Sequence, residues 1–178
     1  MGSKPLLYPQ PAVLIGANVN DKPTWTAISF CGMGNYSPTV LTISLGKGHY
    51  INEGIKQNKT FSVNVPSVEL LKKFDYCGSH SGKKTDKSKV FEAMYGDLKT
   101  APMASECPIS MECKLIQTIE LTKDEMFIGE VVQTYISENV MSDNLPDILK
   151  IKPIVFNDNA YWGIGTKLGK AWDIGRTL

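Results

Sequence analysis

Two runs of alternating residues joined by a tight turn constrain this chain more than any other feature. In residues 111–121, Met111, Cys113, Leu115, Ile119 and Leu121 share one face, interrupted by Gln117. Glu112, Lys114, Thr118 and Glu120 fall mainly on the other. A period of two is the repeat of a strand with one face against a core. Thr122-Lys123-Asp124 turns the chain into a second run, Met126 to Ile136. The pair predicts a long antiparallel hairpin.

The other segments add strands around it. Ala12 to Val19 is apolar and partly β-branched, and Asn20-Asp21-Lys22-Pro23 reads as a turn. A second strand is expected from Thr24 to Cys31, broken by Gly32, Gly34, Ser37 and Pro38. Thr39 to Leu45 alternates as a third strand and ends at Gly46-Lys47-Gly48. A short helix is expected over Tyr50 to Gln57, with Ile51 and Ile55 on one face. Thr60 to Val65 reads as a fourth strand, stopped by Pro66. Ser67 is placed to cap a second helix, Val68 to Tyr76. A polar loop from Gly78 to Lys89 follows, and Phe91, Met94 and Tyr95 suggest a brief helix. Near the end, Pro153 to Phe156 and Tyr161-Trp162-Gly163 are short apolar pieces. A glycine-rich tail with Gly163, Gly165, Gly169 and Gly175 reads as coil. The sum is a mainly β, mostly antiparallel domain with short helices, of barrel type. It is one domain over residues 1–178, with residues 157–178 as a tail packing on the core or on a dimer partner.

Nineteen basic and eighteen acidic residues give a net charge of +1, so no protein-wide basic field suits nucleic acid. The most apolar run, Ala12 to Ala17, has the length of a strand, far from the ~20 residues of a membrane helix. Met1 to Pro5 carries no apolar leader. Cys31, Cys77, Cys107 and Cys113 form no C-x-x-C pair, which reads as reduced thiols in a cytoplasmic protein. A zinc site drawn from Cys77, His80, Cys107 and Cys113 has unusual spacing, and small half-buried hydrophobes are the simpler reading. No metal is expected.

Sequence motifs for catalysis are sparse. There is no Gly-x-Gly-x-x-Gly fingerprint, no P-loop and no Gly-x-Ser-x-Gly elbow, and the histidines are His49 and His80 alone. What remains is a strand end, Ser44-Leu45-Gly46-Lys47-Gly48, running into a helix N-terminus. It offers hydroxyl, amides, a cation and a positive dipole to a phosphate. The loop Ser81-Gly82-Lys83-Lys84-Thr85-Asp86-Lys87 is a second source of cations. Both segments also read as solvated surface.

The order of several short motifs resembles the flavin reductase-like family with its FMN-binding split β-barrel, and within it the flavoredoxin-like subgroup. Those motifs are Gly16-Ala-Asn-Val-Asn-Asp-Lys-Pro23, Ser37-Pro38, Thr42-Ile-Ser-Leu45, Tyr50-Ile-Asn-Glu-Gly-Ile55 and Phe61-Ser-Val-Asn-Val-Pro66. Asp75-Tyr-Cys-Gly78, Ser81-Gly82, Leu98-Lys-Thr-Ala-Pro102, Cys107-Pro108, Phe127-Ile-Gly-Glu-Val131 and Tyr161-Trp-Gly163 continue the series. The resemblance implies an oxidoreductase whose chemistry is carried by FMN, with no catalytic side chain and with NADH or NADPH as donor. The alternative it allows is an electron carrier reduced by a redox protein partner. It also implies a homodimer with FMN near the interface. Carried onto this chain, Thr26, Ala27, Ile28 and Ser29 lie beside the isoalloxazine and ribityl chain. Ser44, Leu45, Gly46 and Lys47 hold the phosphate. Asn64 and Val65 lie near the flavin, and Cys77, Gly78, Ser81, Gly82 and Lys87 close over it. The chain departs from the family pattern at Asp124-Glu125, where relatives carry histidine, and at Phe30, where close relatives carry tryptophan.

Overall fold

A computed structural model of the chain describes residues 2–174. In chain order the elements are β1 (Gln10–Pro11), β2 (Val13–Val19), β3 (Lys22–Ile28), β4 (Cys31–Asn35), β5 (Val40–Gly46), α1 (Ile51–Asn58) and β6 (Thr60–Val65). They continue with α2 (Leu71–Ser79), β7 (Ala93–Met94), β8 (Met103–Ala104), β9 (Ile109–Glu120) and β10 (Asp124–Ile136). The last are β11 (Met141–Ser142), β12 (Leu145–Pro146), α3 (Ile148–Ile151), β13 (Val155–Asn157) and β14 (Ala160–Trp162). No helix among the described residues is long and apolar enough to cross a membrane.

Seven strands form one antiparallel sheet in the order β3-β2-β6-β9-β10-β5-β4. Its two edges, β3 and β4, are neighbours in the chain, with residues 29 and 30 alone between them. The sheet therefore curls until its edges nearly meet without pairing, which makes a split barrel. The predicted second strand is corrected accordingly. It ends at Ile28, and Gly32 and Gly34 sit inside a separate strand instead of breaking one. Most of β4 is exposed, so glycine loses little packing there.

Val13, Ile15 and Ala17 of β2 point into the barrel with Leu41, Ile43, Leu45, Phe61, Cys113 and Phe127, and Ile51 and Ile55 of α1 join them. Leu14 points outward into a second core with Trp25, Phe74 and Cys77 of α2, Phe91 and Cys107. Strand β2 is thus buried on both faces, which is why its sequence is a continuous apolar run. Gly16 is required at its centre: an added Cβ would overlap the Pro102 carbonyl oxygen and lie 2.7 Å from the Trp25 ring.

The long hairpin has register shifts at Ile128/Gly129 and Val131/Gln133. The first leaves Ile116 of β9 without a partner, so the residues beyond it change faces, and the second leaves Val132 of β10 without one. Glu112, expected on the polar face, is fully buried, while Ile119 and Leu121 are exposed. The second helix is also shifted. A three-residue 3₁₀ turn spans Val68–Leu70 with no side-chain cap from Ser67, and α2 runs on to Ser79. The brief helix expected around Phe91 is absent. Phe91 packs edge-on against Trp25 at 5.8 Å, Met94 pairs with Met103, and the Tyr95 hydroxyl donates to Asn18. Each side chain has its own tertiary partner, and these contacts override the helical spacing. Strands β13 and β14 form a hairpin that joins β1 in a small sheet. Beyond Trp162 no further strand or helix occurs among the described residues, and Gly175 lies outside them.

Candidate functional site

Helix α2 packs on β3, and its C-terminal end meets the turn that leads from β5 into α1. The cavity between them has a volume of about 240 Å³. Its walls are Thr24, Trp25 and Thr26 of β3, residues 48–51 at the N-terminus of α1, residues 78–82, and Lys87. Lys87 is 4% exposed. Its Nζ donates to the Cys77 and His80 carbonyls, both at 2.9 Å. That arrangement pins the polar loop to the end of α2 and leaves the ammonium one further N–H. Burial pulls the Lys87 pKa down, with the Cys77 thiol opposing.

His49 faces the same cavity, and its Nδ1 lies 3.5 Å from Thr26 Oγ1. Its pKa is lowered by burial first and by the Lys87 charge second, while Asp124 acts the other way. A lowered value in the folded state means that neutral His49 adds stability above its ordinary pKa of about 6.5. That stability is lost as the pH falls through the folded value. His49→Gln is therefore expected to flatten the thermal midpoint as a function of pH below about 6.5. Identical slopes in the variant and the parent would refute this assignment.

Two glycines permit close approach at the lip. A Cβ on Gly82 would lie 2.9 Å from the Tyr50 ring, and one on Gly78 would lie 3.2 Å from the Ala27 Cβ. His80 stacks on Tyr76 at 4.0 Å between ring centroids. A second cavity of about 340 Å³ adjoins the first at Gly78 and Ser79. It is lined by Ala12, Ala27, Ile28, Ser29, Phe74, Asp75, Phe156 and Tyr161. The Tyr161 hydroxyl donates to Asp75 at 2.7 Å. Its pKa is pushed up to about 12 by burial and by that carboxylate.

The structure brings together Thr26, Gly78, Ser81, Gly82 and Lys87 around the first cavity, and Ala27, Ile28, Ser29 and Gly78 around the second. Ser44, Leu45, Gly46, Lys47, Asn64 and Val65 line neither. Leu45 is core, and the backbone amide of Ser44 donates to the Phe30 carbonyl. Lys47 Nζ lies 3.5 Å from Glu120. Asn64 donates to the Leu14 carbonyl and Ser62 and accepts from the Ala104 amide. Cys77 is fully buried beneath the loop, and burial pushes its thiol up to about 11. Among the described residues no group of three or more His, Cys, Asp or Glu side chains could hold a metal ion.

Sequence reading passed over His49, Tyr50 and Ser79 as site residues and weighed His80 only as a metal ligand. Both histidines of the chain flank one cavity, and a shared pocket is not visible when they stand 31 positions apart. The usable signal was local: His49 directly follows the glycine turn already singled out for phosphate.

A curled antiparallel sheet with a cationic, glycine-lipped cleft at its edge defines a split-barrel protein with a pocket suited to a phosphate-bearing ligand. The chain belongs to the flavin reductase-like domain family, whose pattern it matches over residues 4–165. Among solved structures it is similar to the flavoredoxin from Methanosarcina acetivorans. The two are 40% identical, with a TM-score of 0.96 over 99% of this chain and 96% of that one. It is also similar to the flavoredoxin of Desulfovibrio vulgaris (Miyazaki F), with 32% identity and a TM-score of 0.92 over 99% and 98% of the two chains. An uncharacterised protein of Archaeoglobus fulgidus is 29% identical over 80% of each chain.

Proposed function

We propose that this chain is an FMN-binding oxidoreductase of the cytoplasm that passes hydride or electrons through FMN, with NADH or NADPH as donor. The observation that carries the reading is the buried Lys87 ammonium beside His49 and the N-terminus of α1, in a cavity that opens along β3 into a second, more apolar one. Lys87, His49 and the start of α1 suit a phosphate. Gly78 and Gly82 let the backbone approach it, and Ala27 and Ile28 with Phe74 suit the face of a ring. The chemistry that FMN supplies when bound is hydride acceptance at its N5, so the protein needs to supply only position and electrostatics. All four cysteines are free thiols, in keeping with a reducing compartment.

A second reading, a carrier reduced by a protein partner, is favoured by the flavoredoxin relatives above 30% identity. Anaerobic titration of FMN-loaded protein separates the two. Bleaching of the flavin band by NADH or NADPH supports the reductase. Bleaching only by dithionite or a reduced protein supports the carrier. Failure of the protein to quench FMN fluorescence would sink both readings.

A homodimer with the flavin near its seam is part of the proposal. Phe30, Met33 and Tyr36 stand exposed on and beside β4, directly after the Ser29 wall of the second cavity, and an open apolar edge calls for cover. Light scattering should give twice the chain mass at micromolar concentration. A single chain mass with FMN bound would overturn this part.

A further inference from the structure

The two cavities carry opposite charge. Lys87 and His49 stand on the wall of the first. Among the described residues Asp75 is the one charged side chain on the wall of the second. It lies midway along α2 and is exposed. An exposed carboxylate is ordinarily mobile and well screened, but this one is held. The Tyr161 ring of β14 stands edge-on to Phe74 at 5.8 Å and tilted against Phe156 at 5.7 Å, and both of those rings line the same cavity. The ring so fixed aims its hydroxyl at Asp75 and donates to one carboxylate oxygen at 2.7 Å. With its pKa pushed up to about 12, the hydroxyl stays a donor at any ordinary pH. Glu69 and Lys72 line an open trough outside, which shares Asp75 and Tyr161 with the cavity. Neither of them is on the cavity wall, and Glu69 is paired with Lys152 at 2.9 Å. A fixed negative charge beside a ring disfavours further negative charge there. The ring of oxidised FMN is neutral, and reduction adds negative charge to it.

We propose that Asp75, set in place by Tyr161, lowers the midpoint potential of the bound flavin by making the second cavity hold the oxidised ring more tightly than the reduced one. The inference rests on the reading of that cavity as the place of the isoalloxazine ring. Asp75 acts through its charge. Tyr161 is a positioning residue that acts through Asp75. A lower potential makes the reduced protein the stronger electron donor.

The test uses the full-length protein. Fluorescence quenching gives its affinity for oxidised FMN. The midpoint potential of bound against free FMN, from an anaerobic spectroelectrochemical titration, gives the ratio of the oxidised and reduced affinities. Asp75→Asn should leave oxidised binding nearly unchanged and tighten reduced binding about tenfold, a rise of about 30 mV for a two-electron couple. Tyr161→Phe keeps the ring and frees the carboxylate to turn to solvent. It should raise the potential by less, and it should add nothing in the Asp75→Asn background. Glu69→Gln, which removes a nearby carboxylate outside the cavity, should leave the potential where it was. Riboflavin should show the same rise as FMN in Asp75→Asn, because the charge acts on the ring. An unchanged potential in an Asp75→Asn protein that binds FMN overturns the inference. A rise seen with FMN and not with riboflavin also overturns it, since the charge would then act on the phosphate. Loss of oxidised FMN binding in Asp75→Asn overturns it by making Asp75 a binding contact. A full, independent effect of Tyr161→Phe in the double variant overturns the positioning role. Absence of FMN quenching in the parent protein is a separate result, which overturns the function reading and this inference with it.

Discussion

Replacing Lys87 with alanine should lower FMN affinity ten- to a hundredfold and affect riboflavin much less. The buried ammonium has two carbonyl partners and one N–H left for a phosphate oxygen. A charge-assisted hydrogen bond contributes roughly 1.5–3 kcal/mol, and 1.4 kcal/mol is a factor of about ten. Riboflavin has no phosphate and reports only the loop damage caused by releasing the Cys77 and His80 carbonyls. Equal weakening of both ligands would mean that Lys87 shapes the loop without touching phosphate. No weakening of either would leave the phosphate to His49 and α1. Lys47→Ala should change FMN binding little, because Lys47 lies toward Glu120 and outside the cavity wall. Lys150, which donates to the Met141 carbonyl at 2.6 Å, serves as the distant control.

Glu112→Ala should remove about 3–5 kcal/mol of stability. The carboxylate is fully buried. One oxygen accepts from the amides of Gly96 and Leu98 at 3.0 and 3.1 Å, and the other from the Asp97 amide at 2.9 Å and the Tyr135 hydroxyl at 3.2 Å. Four donors satisfy the charge, and removing it strands them. Gly96 fits here because a Cβ would strike the Tyr135 hydroxyl and lie 2.6 Å from the carboxylate. In a domain of this size the loss corresponds to a fall of about 6–20 °C in thermal midpoint. Urea denaturation of Glu112→Gln, which keeps one carbonyl acceptor, should give an intermediate value. A loss below about 1 kcal/mol for Glu112→Ala would show that the loop finds other partners.

The strands were legible where burial alone sets the pattern. Thr60 to Val65 matches β6 at both ends, and the double-sided burial of β2 shows as an unbroken apolar run. Legibility failed where a residue's role depends on a distant partner. Glu112 alternates with the core residue Cys113 as a surface residue should, and only the 96–98 loop and Tyr135 packed over that outer face bury it. Gly32 and Gly34 look like breakers because the edge position that makes them harmless is set by the whole sheet. At the site, Lys87 and the Gly78–Gly82 segment could be read from the polar loop. Lys47, expected at the phosphate, lies outside the cavity wall, with its side chain toward Glu120. The family resemblance supplied the cofactor, which no spacing of residues contains.

The sheet order also fixes when the molecule can become whole. Strands β2 and β3 pair as neighbours in the chain, as do β4 and β5, so each couple can form early from local contacts. Among the described residues no strand pairing joins one couple to the other across residues 29–30. The bridge is the late hairpin, in which β9 takes β6 and, through it, β2 on one side, while β10 takes β5 on the other. A ribosome that has released only the first hundred residues therefore holds two flaps on a hinge. The barrel can close only once that hairpin has paired with both, and non-local pairing of this kind forms more slowly than local pairing.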